Sequence, residues 1–256
     1  MLDEVMYGIV ASALCGIGLL FWRNRKHLGT GVLILRPQAP VRVSIAALLR
    51  VQFNDAYILF TTPHRPGTFG PPGGVIKFHS GARAQLDGMD FRDEVLASRT
   101  VAMHQDLRGF VPPAKIAKFL QWVEKNVDRE SSVDCLRREL REELAEVGHP
   151  ELCSLVEGLE FAQIRTLIEK PEWIRGGNHW QLRRFEVYDL PPTTQQGRDL
   201  RDALLRLADD PSETSIVKAT SSEIMKGRRS DALIGPQSAF LFGKDRYRQD
   251  LPPAGN

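Results

Sequence analysis

The sequence predicts an α/β fold, because segments with the pattern of strands and segments with the pattern of helices alternate along it. Apolar residues recur at helical spacing over residues 113–126 and again after Ser131. Asn54-Asp55 separates the first two strand-like runs and predicts a hairpin between them. Four runs carry the β-branched and aliphatic residues typical of strands, at 41–53, 56–61, 159–169 and 179–190.

An acidic segment in the helix after Ser131 carries the strongest chemical signal. At about 100° per residue, Glu139, Glu142 and Glu143 project from one face of that helix. Like charges at this spacing destabilise a helix by about 0.2–0.5 kcal/mol per pair. A divalent cation among the carboxylates would explain the cluster, because hard ions such as Mg²⁺ take oxygen ligands. A solvated charged face, compensated by neighbouring arginines, is the alternative.

The spacing around this segment resembles the Nudix box, whose pattern is G-x5-E-x7-R-E-U-x-E-E-x-G-U with U aliphatic. The two glycine positions of the pattern hold Glu124 and Ala145. Upstream, Pro72-Gly73-Gly74 resembles the loop that precedes the box in many Nudix proteins, and both glycines would support the site by close approach of backbone to ligand. Six residues match the box itself: Glu130, Arg138, Glu139, Leu140, Glu142 and Glu143.

The resemblance implies a fold and a reaction. The Nudix fold is a mixed sheet sandwiched between helices, which here would span residues 41–243 with an insert at about residues 77–127. The activity would be hydrolysis of a nucleoside diphosphate linked to another moiety, with Mg²⁺ or Mn²⁺ as the cofactor. A nucleotide substrate is therefore the expected small-molecule partner.

The same resemblance gives roles to individual residues. Glu139, Glu142 and Glu143 would hold the metal ion, and one of them would act as the base. Arg138 would belong to the catalytic group with Glu142 and Glu143, because it would position a glutamate through a bidentate pair. Glu130 would support the site by anchoring the start of the loop and helix.

The chain begins with an uncharged apolar run, Val5 to Trp22. Its length of about 18 residues is enough to cross a hydrocarbon core of about 30 Å. Arg23, Arg25 and Lys26 follow, so the positive-inside rule places the rest of the chain in the cytoplasm. We expect residues 1–26 to form a single-pass transmembrane anchor. A buried N-terminal helix is the alternative.

Small residues recur every four positions within this run, at Gly8, Ser12 and Gly16. A stripe of this kind allows close approach of two helices in lipid. A homo-oligomer formed through the anchor is therefore a hypothesis. Outside the anchor, residues 27–40 contain glycines and prolines that are typical of a linker. Residues 244–256 are polar and rich in proline, which predicts a flexible tail.

The whole arrangement resembles one subgroup of the family. A single span, followed by a Nudix domain with a long insert after the sequence FGPPGG, is similar to the SMODS-associated Nudix proteins. These are effectors of CBASS, the bacterial antiphage systems that signal with cyclic nucleotides. The resemblance implies an effector anchored in the bacterial inner membrane, which a cyclic nucleotide second messenger activates and which leads to cell death. The alternative is a catalytically inactive Nudix-fold sensor that acts through its transmembrane helix.

Composition narrows the function classes further. The formal net charge of +2 gives no case for nucleic-acid binding, which needs a clustered basic face. Three cysteines without metal-binding spacing indicate a reducing compartment. The sequence contains no Walker A motif, no GxGxxG motif and no nucleophile elbow. The acidic helix is therefore the main functional signal.

Overall fold

The computed structural model describes residues 33, 36–62, 65–94, 103–230 and 232–247. Strands and helices alternate within these ranges, which confirms the α/β class. The expectation of one mixed sheet between helices needs a correction, because the described strands form two mixed sheets. In this part of the chain no helix is long and apolar enough to cross a bilayer. The expected span over residues 5–22, and its self-association, lie outside the described residues.

The first sheet is built around β1 (Val41–Arg50), which pairs in parallel with β10 (His179–Asp189). Its order is β6-β7-β1-β10-β8, with β5 also on β1 and β9 also on β10. The strands added to this central pair are all antiparallel to their neighbours. They are β5 (Gly73–Val75), β6 (Arg92–Asp93), β7 (Arg108–Val111), β8 (Ala162–Ile168) and β9 (Glu172–Ile174).

The second sheet has the order β11-β3-β4-β13-β12, and β2 also pairs with β3. It is mixed because β13 runs parallel to β4. Its strands are β2 (Gln52–Phe53), β3 (Ala56–Thr62), β4 (Arg65–Gly70), β11 (Ile216–Thr220), β12 (Arg228–Arg229) and β13 (Ala232–Ile234).

Two of the described α-helices have 15 residues, and the others are shorter. The α-helices are α1 (Arg83–Asp87), α2 (Ile116–Lys125), α3 (Ser132–Glu146), α4 (Gln195–Asp209) and α5 (Ser221–Lys226). Short 3-10 helices occupy Ser80–Ala82, Pro113–Lys115, Pro150–Gly158, Arg175–Gly177 and Pro236–Leu241.

The predicted hairpin between residues 41–53 and 56–61 is wrong for most of its length. Only Gln52–Phe53 pairs with β3, and β1 belongs to the other sheet. The reason is that β1 is buried along almost its whole length. Both of its edges are taken by strands distant in sequence, β10 on one side and β5 and β7 on the other.

Alternation along β1 divides the apolar core into two clusters, one on each face of the first sheet. Val43 and Ile45 belong to the cluster that includes the buried faces of α2, α3 and α4. Ala46 and Leu48 belong to the cluster that includes side chains of β3, β11 and the 3-10 helix Pro236–Leu241. The first sheet is therefore covered by helices on one face and largely by the second sheet on the other.

The insert, residues 77–127, is part of the core. Its predicted helix is confirmed as α2, with Phe119, Leu120 and Val123 buried. Its strand β7 pairs with β1, so the insert extends the first sheet. The Phe119 ring stacks on the Phe91 ring with centroids 5.7 Å apart.

The acidic helix α3 has well-defined ends. The Ser131 hydroxyl accepts a hydrogen bond from the Asp134 amide at 3.1 Å, which is the expected N-cap. Leu136, Leu140 and Leu144 are buried against the first sheet and its neighbours. The chain leaves the helix through a glycine, Gly148, with φ of 92°.

Described parts of the predicted linker and tail are packed against the domain. The Arg36 guanidinium lies 4.1 Å from the centre of the Trp173 ring. In the tail, the Arg246 guanidinium donates to the Glu172 carboxylate at 3.1 Å, and the Tyr247 ring stacks on Phe242. Residues 248–256 lie outside the described residues.

A histidine after α3 makes the stability of the domain dependent on pH. His149 Nε2 lies 2.6 Å from Glu213 Oε2, and its Nδ1 lies 3.1 Å from Glu151 Oε1. Partial burial lowers the pKa of His149, but hydrogen bonds to Glu213 and Glu151 outweigh it, so the pKa is raised. A raised folded-state pKa adds stability that is complete below the unfolded pKa of about 6.5 and is lost as the pH rises through the folded pKa.

We therefore expect the free energy of unfolding of wild type to exceed that of His149→Gln most at about pH 6. The difference should shrink toward pH 8.5, and urea titrations at several pH values would measure it. His79→Gln, which makes the same exchange at an exposed histidine, is the control. A wild-type advantage that grows with pH would contradict the assignment.

Candidate active site

The carboxylate face of α3 lies against the glycine turn at the start of β5. The Gly73 amide donates to Glu143 Oε2 at 3.0 Å. At Gly74, an added Cβ would lie 2.0 Å from the Glu139 carboxyl carbon, so that carboxylate occupies the space that the missing side chain leaves. Gly73 and Gly74 pair with Leu48 and Ala47 of β1, which fixes the turn in the first sheet.

Arg138 connects the helix to two other segments. Its Nε and Nη2 donate to the two carboxylate oxygens of Glu130 at 3.0 and 2.9 Å, a bidentate pair. The same Nη2 donates to the Val75 carbonyl at 3.1 Å, and Nη1 donates to Glu139 Oε1 at 2.5 Å. Glu142 Oε2 lies 3.6 Å from Nη1. Arg138 therefore fixes Glu139 relative to β5 and to the loop before the helix.

Glu130 carries a second contact that strengthens this arrangement. Its Oε2 accepts the Lys77 amide at 3.1 Å, just beyond β5. Burial alone would lower the pKa of Arg138, but the hydrogen bond to Glu130 and the charge of Glu139 raise it above its ordinary value. The guanidinium stays charged and holds its partners at any physiological pH.

Burial and mutual repulsion act on the acidic face. Burial raises the pKa of Glu143 well above its usual range, the Gly73 amide opposes the rise, and the charges of Glu139, Glu146 and Glu142 add to it. Burial also raises the pKa of Glu139, against the pull of Arg138. Glu142 is exposed. A cation among these oxygens would remove the repulsion.

Sequence reasoning missed two carboxylates near this face. Asp106, in the insert, is buried beside Lys77 at 3.4 Å, and its charge contributes to the raised pKa of Glu139. Glu146 lies one turn after Glu143 on α3. Helical spacing could have identified Glu146, whereas Asp106 reaches the site only because the insert folds back and pairs with Lys77, just beyond β5.

The donor set fits a hard divalent cation, because Glu139, Glu142 and Glu143 supply only carboxylate oxygens from one helix face. In the described ranges, no three carboxylate, imidazole or thiol groups already converge as a metal cluster. Glu139 and Glu142 lie toward Arg138, and Glu143 lies toward Gly73. The three carboxylates are the residues that would hold Mg²⁺ or Mn²⁺.

Comparison with protein families decides the classification. The family defined as the SMODS-associated NUDIX domain matches residues 40–242, well over half of the chain. The chain belongs to this family. None of the curated proteins compared with it matches. The solution structure of the E. coli ORF135 protein is similar at 12% identity and a TM-score of 0.30, over 79% of this chain and 86% of that chain.

This Nudix domain makes its turns without the two glycines of the box pattern. Glu124 lies in the last turn of α2, and the chain then turns through Asn126 and Asp128, with φ of 53° and 56°. Asn and Asp tolerate this left-handed conformation better than most residues. Ala145 lies within α3, and Gly148 supplies the positive φ beyond the helix.

Gly74→Ala tests whether hydrolysis requires the space that the Glu139 carboxylate occupies beside Gly74. The new Cβ would meet Glu139 Oε1 and Oε2 at 2.3 and 2.2 Å, so that side chain must move away from Arg138. The fold should persist, because the contact is with the end of a flexible side chain. We expect any hydrolytic rate to fall by about ten- to a hundredfold, since catalytic groups tolerate little displacement.

Steady-state kinetics together with a urea titration would check this result. Gly176→Ala is the matched control, because an added Cβ there meets nothing within 4 Å. Equal hydrolytic rates in Gly74→Ala and Gly176→Ala would contradict the proposed role of Glu139 in hydrolysis.

Proposed function

We propose that this protein is a Nudix-type effector of a bacterial antiphage system that hydrolyses a nucleoside diphosphate-linked substrate. Family membership supports the effector role, through the resemblance to SMODS-associated Nudix proteins. The observation that carries the hydrolytic proposal is the network of Arg138, which joins Glu130 in the loop before α3 to Glu139 on the helix face that also carries Glu142 and Glu143.

Each residue has a defined task in this proposal. Glu139, Glu142 and Glu143 would hold Mg²⁺ or Mn²⁺, which neutralises charge on the diphosphate and lowers the pKa of water. Arg138 holds Glu139 in place, and the Gly73 amide holds Glu143. Glu142 or Glu143 accepts a proton from the attacking water.

The proposed regulation rests on the resemblance to SMODS-associated Nudix proteins, and the proposed anchor rests on the apolar run in the sequence. Infection-triggered cyclic nucleotide would bind the protein, release its activity and lead to cell death. The apolar run before residue 23 would anchor the domain on the cytoplasmic side of the inner membrane. Fractionation checks the anchor, since we expect full-length protein to stay with membranes after an alkaline wash. Recovery in the soluble fraction would remove this part of the proposal.

The deciding experiment incubates the full chain with a panel of nucleoside diphosphate-linked compounds and Mg²⁺. Cyclic di- and trinucleotides are added or withheld, and phosphorus NMR follows the products. We expect one compound class to be cleaved at the diphosphate, faster with one cyclic nucleotide, and not in EDTA. Tight binding of a cyclic nucleotide without cleavage of any compound would instead establish a catalytically inactive sensor.

A further inference from the structure

A second polar site lies at the N-terminal end of α3. A cavity of about 390 Å³ opens there, within the size range of small-ligand sites. Ser132 lines it, and the seven residues from Ser132 to Glu139, the nearest proposed metal ligand, correspond to about 10 Å along the helix. The cavity is therefore separate from the proposed metal ligands. The side chains that matter for its chemistry are Arg129, Ser132, Gln163, Arg184, Glu186 and Tyr188.

Strand β10 places charged residues where the sheet otherwise presents apolar ones. Leu182 belongs to the helix-side core, and alternation puts Arg184 and Glu186 on the same face. Their exposed fractions are 7% and 5%. Buried charges are expensive unless they are paired, so their partners decide what the site can bind.

The charges in this cluster do not cancel. Arg129 and Arg184 are both buried, and both contact the single carboxylate of Glu186. Glu186 is fully engaged, because it also accepts from the Ser132 hydroxyl at 2.5 Å and from Tyr188 at 3.4 Å. The other bonds of Arg129 go to neutral carbonyls, of Val123 and Glu130. One positive charge therefore remains among the buried side chains. Glu124, which also lines the cavity, adds an opposing carboxylate, but it is exposed and its charge is screened by solvent.

Two further features favour an anion. Among the described residues, Arg184 Nε is buried with no hydrogen-bond partner. The first amides of α3 also lie at the cavity, since Ser131, Ser132 and Val133 line it. Ser131 caps the Asp134 amide, which leaves the Ser132 and Val133 amides and the partial positive charge of a 15-residue helix to attract phosphate, against the charge of Asp134 in the same turn.

We propose that this cavity binds a phosphoryl group of a nucleotide, between Arg184, Arg129 and the first turn of α3. The phosphodiester of a cyclic nucleotide and the phosphate of a linear nucleotide share this chemistry. The inference does not require that the carboxylate face hydrolyse anything. Binding of a ligand in the cavity would affect the acidic face through the peptide between Arg129 and Glu130. Arg129 directly precedes Glu130 and donates to its carbonyl at 2.9 Å.

Calorimetric titration of the full chain in EDTA tests the proposal, because chelation removes metal-dependent binding at the carboxylates. The probes are inorganic phosphate, a cyclic dinucleotide and a nucleoside diphosphate. We expect at least one to bind, and the tightest probe identifies the source of the phosphoryl group. Gln163→Glu puts a negative charge on an exposed lining residue and should weaken binding at least tenfold.

Gln196→Glu is the matched control, since it makes the same exchange at an exposed position outside the cavity lining. Arg184→Gln removes the buried charge and should abolish binding, with circular dichroism to confirm folding. Absence of binding by all three probes would overturn the proposal, and so would equal affinities of Gln163→Glu and Gln196→Glu. Glu142→Gln should leave this binding unchanged, which separates the result from the fate of the proposed hydrolase.

Discussion

Glu143→Gln is expected to lower the hydrolytic rate constant by about 10³-fold, in the range that loss of a catalytic base costs. In wild type, the Gly73 backbone N–H donates a hydrogen bond to Glu143 Oε2 at 3.0 Å. The side-chain oxygen of the glutamine can still accept this hydrogen bond. The exchange therefore removes a charge and a proton acceptor while the contact with the turn is kept. Product formation at saturating substrate and Mg²⁺ is the measurement. Glu142→Gln should cause a loss of similar size.

Glu157→Gln is the control for this pair. Glu157 is exposed and contacts Arg141 at 2.9 Å, so its exchange removes a carboxylate near α3 but outside the acidic face. We expect its rate to equal that of wild type. If Glu142→Gln and Glu143→Gln both hydrolyse substrate and bind Mn²⁺ as wild type does, the acidic face has no role in metal binding or in hydrolysis.

Phe119→Ala is expected to lower the free energy of unfolding by about 3–5 kcal/mol. The Phe119 side chain has no exposed surface, stacks on Phe91 and lies 6.1 Å from the Trp122 ring. Its removal leaves a cavity in the core shared by the insert and the first sheet. Spectroscopic probes in the insert and in the rest of the domain should report one shared urea transition, shifted to lower urea concentration.

Phe53→Ala makes the same exchange at a site that is 46% exposed, and we expect a change below about 1 kcal/mol. An early, separate transition in Phe119→Ala, with the main transition unmoved, would show that the insert is an appendage. A single shifted transition would show that it is part of the domain.

The acidic helix could be predicted because its information is local. Three carboxylates share a face through helical spacing, and Ser131 supplies a cap before an apolar stripe. The buried positions of α2 could be predicted in the same way, from apolar residues at helical spacing. The bidentate pair of Arg138 with Glu130 joins residues only eight apart, so a sequence pattern can contain it.

Other features depend on contacts that no local pattern encodes. β1 lacks the predicted hairpin partner because its neighbour β10 lies far along the chain. Strand β6 has two residues, which is too short for a periodic signal. The polar cavity was also missed. Arg184 and Glu186 fit the pattern of an ordinary strand, and only the fold places Arg129 and Ser132 beside Glu186.

The parallel pairing of β1 with β10 sets the time at which the protein can become active during synthesis. The paired residues Arg50 and Asp189 are 139 positions apart. At about 5–20 residues per second, a ribosome needs roughly 7–28 s between them, and the central pair of the sheet has to wait for that interval. A nascent chain that already contains the acidic helix still lacks the sheet that supports it, so any activity of the acidic face is delayed until most of the chain has been made.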